Sequence, residues 1–258
     1  MDASHVPVSE RDSQRLLILF LSLLIVFSTV VYLSPPKRSP IPLDWCPGAA
    51  ALIACLVVQR NLRDLGWSPG TGYLLPALLI PLGCMGLVYG IAWLGNSGSF
   101  DPVGATYLYP KWLYVVSLTA FYAFGEEIGW RGLLVPQLAR RMSAAKAALW
   151  SGALWAVWHY PVFFKYDLGG PPLAYGMTMF TIMVVGSAFF LAWMRLRSGS
   201  VWPAVVFHSA HNLAVTWFDA STIPAPLTPY LVSETGIGLA LAYPAAAFWL
   251  WRRAHRLS

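Results

Sequence analysis

Three groups of polar residues stand inside apolar sequence, and their types suit acid–base chemistry. Glu126, Glu127 and Arg131 lie in "FYAFGEEIGWRG", His159 ends "WAVWH", and His208, His211 and Asn212 lie in "VFHSAHNLA". Ionisable side chains at membrane depth are costly and rare, which makes each a candidate functional residue. A carboxylate beside a histidine can activate water as a general base and then protonate a leaving amine. A second histidine and an asparagine can donate hydrogen bonds to a developing oxyanion. Together these types suit peptide hydrolysis without a covalent intermediate.

Spacing refines the picture. Glu127 and Arg131 stand at i, i+4 with the acid first, the favourable order for an ion pair on a helix. Glu126 points about 100° away and so meets a different neighbour. His208 and Asn212 share one helix face, and His211 lies on the flank of that face in a structural or supporting position. Each group also has a plainer reading. Glu127 with Arg131 could be a buried pair that only fixes helix position, His159 a packing histidine, and His208 with Asn212 interhelical glue. Their convergence at one depth favours a catalytic constellation.

The elements that must position these residues are membrane helices. The chain has 258 residues, of which 57% are hydrophobic and 11% charged, against about 25% charged in soluble domains. Mean hydropathy is +0.58. Eight segments approach the roughly 17–25 residues that a span needs: about 16–33, 43–59, 73–94, 112–135, 147–164, 173–194, 201–218 and 231–251. The expected fold is an all-α integral membrane bundle of about eight helices around a polar cavity. The chain reads as one multi-pass domain with a catalytic core at 112–218. "SPPKRSP" and "TIPAPLTPY" read as turns. A rise of about 1.5 Å per residue puts Glu126, His159 and His208 about 15, 18 and 10 Å from the cytoplasmic ends of their helices.

Charge sets the expected orientation. With the N-terminus inside, the cytoplasmic side holds Arg11, Arg15, Arg60, Arg63, Arg140, Arg141, Lys146, Arg195, Arg197, Arg252, Arg253 and Arg256. The other side holds only Lys37, Arg38, Lys111 and Lys165. This bias points to both termini being cytoplasmic. It also accounts for the net charge of +6 without nucleic acid, for which no motif stands out. Asp44, Asp219 and Glu234 fall near segment ends, within reach of water. Cys46, Cys55 and Cys84 show no metal spacing and read as packing residues.

Other hydrolase designs fit less well. The H-E-x-x-H zinc motif is absent, although Glu126, His159 and His208 could hold zinc as a variant. "GNSG" at Gly95–Gly98 reads as a loop turn, and Tyr166-Asp167 lacks a G-x-G-D partner.

Three motifs carry a family resemblance. Glu126-Glu127-Ile128-Gly129-Trp130-Arg131 is similar to E-E-x-x-x-R, His208 and Asn212 match H-x-x-x-N, and "WAVWH" resembles F-x-x-x-H with Trp155 in place of the aromatic Phe. In order and spacing they resemble the CPBP intramembrane proteases, also called Abi or type II CAAX-protease-like proteins. The resemblance implies an eight-helix glutamate endopeptidase with a cytoplasm-facing cavity and no cofactor. It implies Glu126 and His159 as water activators, His208 and Asn212 as the oxyanion site, and supporting roles for Glu127 and Arg131. It implies that the Trp155 exchange changes only the shape of the pocket wall. Eukaryotic relatives cleave after a prenylated cysteine; bacterial relatives are linked to bacteriocin processing and immunity. The expected partners are the lipid bilayer and a peptide or protein substrate at the membrane, and the expected location is a bacterial cell membrane. The competing reading is a non-catalytic immunity or scaffold protein that binds a peptide in the same cavity. A transporter is weaker, since no inverted repeat is visible.

Overall fold

A computed structural model describes residues 9–34, 42–165 and 170–254. Most of "SPPKRSP", the Tyr166-Asp167 pair and Arg256 lie outside the described residues. The chain is all-α apart from two short strands. Helix α1 spans Glu10–Leu33, and α2 spans Cys46–Val58 behind a 3₁₀ turn at Leu43–Trp45. Next come α3 (Leu74–Leu94), β1 (Gly98–Phe100), α4 (Pro102–Tyr107) and α5 (Trp112–Glu127). A π-helical segment at Ile128–Leu134 leads into α6 (Val135–Ala139). The chain then forms α7 (Ala144–Lys165), α8 (Leu173–Ser198), α9 (Trp202–Ala220), β2 (Thr222–Pro224), α10 (Thr228–Leu231) and α11 (Ile237–Ala254).

The eight apolar segments correspond to α1, α2, α3, α5 with its π and α6 continuation, α7, α8, α9 and α11. Glu10–Leu33, Thr71–Leu94 and Leu173–Ser198 are long and apolar enough to cross a membrane, and Leu43–Val58 is a shorter apolar helix. The apolar surface has the distribution a bilayer requires. In α1, Leu16, Phe20, Leu24 and Ser28 are buried at a four-residue spacing, whereas Ile18, Ile25, Val30 and Leu33 are more than half exposed. One stripe faces the bundle and the rest of the helix stays apolar, as a lipid-facing helix does.

Two boundaries depart from the sequence reading. The last long helix starts at Ile237 rather than near 231, because Ser233 takes a left-handed φ of 64° and ends the preceding turn. "TIPAPLTPY" is also more than a turn. Its first three residues pair antiparallel with β1, Ser99 opposite Ile223, and Thr228–Leu231 closes one helical turn.

The larger departure is within the fourth segment, which does not run as one α-helix to residue 135. It widens to π geometry at Ile128–Leu134, a feature frequent at functional sites. Two contacts hold it. Arg195 of α8 donates from Nε to the Arg131 carbonyl at 2.9 Å and from Nη2 to the Asp64 carbonyl at 2.8 Å. This buried cation ties helices together and is not a free loop charge. On the other side, Gly125 and Gly129 present bare backbone to the start of α2. A Cβ on Gly129 would lie 2.5 Å from Pro47 Cβ, and one on Gly125 would lie 2.9 Å from the Asp44 carbonyl oxygen. Only glycine permits this approach, which sets Asp44 beside the Glu126–Glu127 pair.

Candidate active site

α5, α7 and α9 bring the three motifs to one cavity of about 280 Å³. Glu126, His159, His208 and Asn212 all line it, together with His211, Trp155, Asp44, Glu234 and apolar side chains of α8. Glu127 and Arg131 are fully buried behind this wall.

The adjacent carboxylates have different surroundings. Glu127 Oε1 accepts from Arg131 Nη1 at 2.8 Å and from His208 Nδ1 at 2.9 Å. It is therefore a structural anion that answers the arginine and orients the histidine, so the i, i+4 pair expected from spacing is present. Glu126 turns the other way and, among the described residues, accepts one hydrogen bond, from Trp155 Nε1 to Oε2 at 2.7 Å. Its other oxygen is left for the cavity.

The histidine tautomers follow from their partners. His159 Nδ1 lies 2.8 Å from the Trp155 carbonyl oxygen, which can only accept. Nδ1 therefore carries the proton, and in the neutral ring Nε2 keeps a lone pair. The ring is fixed by edge contacts with Trp158 and Phe180, at centroid distances of 4.7 and 5.2 Å. His208 donates from Nδ1 to the Glu127 carboxylate, and its Nε2 accepts when neutral and donates when the ring is charged. His211 is engaged on both sides, with Tyr243 at 2.7 Å and Glu234 at 3.0 Å, which fits the supporting position expected from its flank.

Three contributors were missed or undervalued in the sequence. Trp155 does more than shape the wall. Its indole N–H is the donor to Glu126, and its ring face carries the Arg131 guanidinium 4.1 Å from the centroid. A phenylalanine could do only the second. Asp44 and Glu234 are not merely wetted segment ends, since both line the cavity. Asp219, by contrast, is held by Tyr89 and by Ser233 at 3.0 Å and lies away from it. Among the described residues no three His, Cys, Asp or Glu side chains are arranged to hold a metal ion.

Comparison with known proteins bears on this arrangement. Residues 108–214 match the family model of the type II CAAX prenyl endopeptidase Rce1-like proteins. This segment is thus similar to that family. The match begins just before α5 and ends within α9, so it takes in all three motifs. CAAX prenyl protease 2 of Methanococcus maripaludis is 27% identical over 159 residues, which cover 59% of this chain and 57% of that protein. The chain thus matches a little over half the length of that relative. Within this matched segment, the buried Glu127–Arg131–His208 cluster and the Trp155 donor to Glu126 give the two neighbouring glutamates different surroundings.

Three of the lining residues come from the ends of elements. Asp44 precedes α2, Thr216 lies in the last part of α9, and Glu234 precedes α11. All three line the cavity at the end of the bundle opposite the arginine-rich loops.

Proposed function

We propose that the chain is an intramembrane endopeptidase that hydrolyses a peptide bond of a membrane-associated peptide or protein with an activated water. One observation carries this reading: Glu126 and His159, from different helices, both line the same cavity, and each keeps one polar atom without a hydrogen-bond partner among the described residues. In the proposed step, Glu126 takes a proton from water while His159 Nε2 accepts the water's other hydrogen bond. The oxygen attacks the scissile carbonyl carbon. The resulting oxyanion accepts from the Asn212 amide and, with the His208 ring in its charged form, from His208 Nε2–H. Glu126 then passes its proton to the departing amine, leaving a new carboxyl terminus and a new amino terminus. Trp155 positions Glu126, while Glu127 with Arg131 positions His208. The relative's name supports a peptidase that acts on CAAX prenyl proteins, but the cavity itself does not select a prenyl group. No step is assigned to a metal.

The test compares wild type with Glu126→Gln at matched abundance in cells lacking the gene, reading peptide termini in membrane and secreted fractions by mass spectrometry. Termini that appear only with wild type are the expected result. Identical termini, with the cellular phenotype still rescued by Glu126→Gln, would overturn the enzyme in favour of a peptide-binding immunity or scaffold protein.

A further inference from the structure

Arg195 is a buried cation whose counter-charge is missing. It is 6% exposed. Its Nε donates to the Arg131 carbonyl, and its Nη2 donates to the Asp64 carbonyl and, at 3.5 Å, to the Gly132 carbonyl. All three acceptors are neutral backbone. Among the described residues no carboxylate forms an ion pair with it. Its Nη1 has no hydrogen-bond partner there and is not sealed inside the protein. Burying a cation is expensive unless an anion answers it.

Arg195 lines a second pocket, of about 780 Å³, between the Arg63–Leu65 turn, α6 and the end of α8. This pocket shares no lining residue with the active-site cavity. Gln137 of α6 lines it too and is 5% exposed. Its amide makes no hydrogen bond among the described residues: Oε1 is sealed in the protein, and Nε2 is left toward open space. Exposed Arg63 and Arg140 stand at the same pocket. Asp64 supplies the single carboxylate of the lining, and its Oδ2 already accepts from Gln59 Nε2 at 2.8 Å. Three guanidiniums against one carboxylate leave the pocket positive. The backbone is shaped around Arg195. Gly66 holds a φ of +85°, and a Cβ there would lie 2.9 Å from the Arg195 guanidinium carbon.

We propose that this pocket binds a phosphoryl group, held by Arg195 Nη1 and Gln137 Nε2 with Arg63 and Arg140 at its rim. A phosphoryl group supplies the negative charge that Arg195 lacks and several oxygens for the two unused donors. Guanidiniums match phosphate oxygens in geometry as well as charge. Basic pockets between membrane helices take lipid headgroups, and free phosphate offers the same chemistry. The site does not depend on the proteolytic reading.

The test uses the full-length chain, delipidated in detergent, and follows its unfolding midpoint. One titration adds inorganic phosphate against chloride at matched ionic strength. A second adds phosphatidic acid against diacylglycerol in mixed micelles. Phosphate also stabilises proteins generally by exclusion from their surface, so the readout is a saturable shift that depends on the pocket. Gln137→Glu keeps the side chain's size and places a negative charge where the ligand would bind. Arg63→Ala with Arg140→Ala removes only exposed side chains. Wild type should show a saturable rise. Gln137→Glu should lose it, and the double arginine variant should bind roughly tenfold more weakly. Saturation with phosphatidic acid alone would support the site and identify its ligand as a lipid headgroup. Saturation with inorganic phosphate as well would support a site for the free ion. No saturable shift with either probe would overturn the proposal, as would equal shifts in wild type and Gln137→Glu. If Gln137→Glu does not fold, an unchanged affinity in the double arginine variant would overturn it.

Discussion

Glu126→Gln and Glu127→Gln are the same chemical change at adjacent positions, and the structure requires them to fail in different ways. Glu127 is fully buried and shares one oxygen between Arg131 at 2.8 Å and His208 at 2.9 Å. Replacing it with an amide leaves a buried guanidinium without its counter-charge. Removing one partner of a buried pair costs roughly 3–5 kcal/mol. For a chain of this size, with roughly 2–4 °C per kcal/mol, the unfolding midpoint should fall by roughly 6–20 °C. Glu126 accepts one hydrogen bond, from Trp155, and a glutamine carbonyl can accept it equally well. Glu126→Gln should therefore stay within roughly 1 kcal/mol of wild type while reducing cleavage to a small residual rate. The assay is thermal unfolding of the purified variants in one detergent, run beside the peptide-termini measurement. A Glu127→Gln variant as stable as wild type would refute the division of labour, as would a Glu126→Gln variant less stable than Glu127→Gln.

Trp155→Phe should fold and keep its contact with Arg131 but lose the donor to Glu126. A hydrogen bond to a charged acceptor is worth about 1.5–3 kcal/mol. If it acts in the transition state, the cleavage rate should fall by roughly 10- to 100-fold, and unchanged turnover would show that the indole N–H does not position Glu126. Gly129→Ala forces a Cβ against Pro47 and should cost about 1–3 kcal/mol through overpacking; an unchanged unfolding midpoint would contradict the close approach of α2. Arg195→Lys cannot reach both the Arg131 and Asp64 carbonyls with one ammonium. Amides of residues 128–134 should then exchange hydrogen faster than in wild type, and equal exchange would remove Arg195 as the clamp on the π segment.

The helices were legible because a bilayer leaves few options: apolar stretches of sufficient length, separated by Pro, Gly and charge, give the element count directly. Glu126, Glu127, Arg131, His159, His208 and Asn212 were legible because polar groups in such stretches are conspicuous and their spacing shows which share a face. The remainder depended on contacts between distant elements. The π segment reflects the Gly125 and Gly129 approach to α2 and the Arg195 bonds from α8, neither of which has a local pattern. Trp155 looks like an apolar wall residue until its N–H is seen aimed at Glu126. Asp44 and Glu234 look like ordinary segment ends, and only the packing of the start of α2 against α5, with the loop before α11, brings them to the cavity.

The central claim is that Glu126 and His159 act on one water. A double-mutant cycle tests it most directly. Cleavage rates of a peptide spanning a Glu126-dependent site would be measured for wild type, Glu126→Gln, His159→Ala and the double variant in purified form. Residues that act as a unit are strongly non-additive, so the double variant should be no slower than the worse single variant. Losses that multiply would mean that the two side chains work independently, and the shared-water account would be wrong.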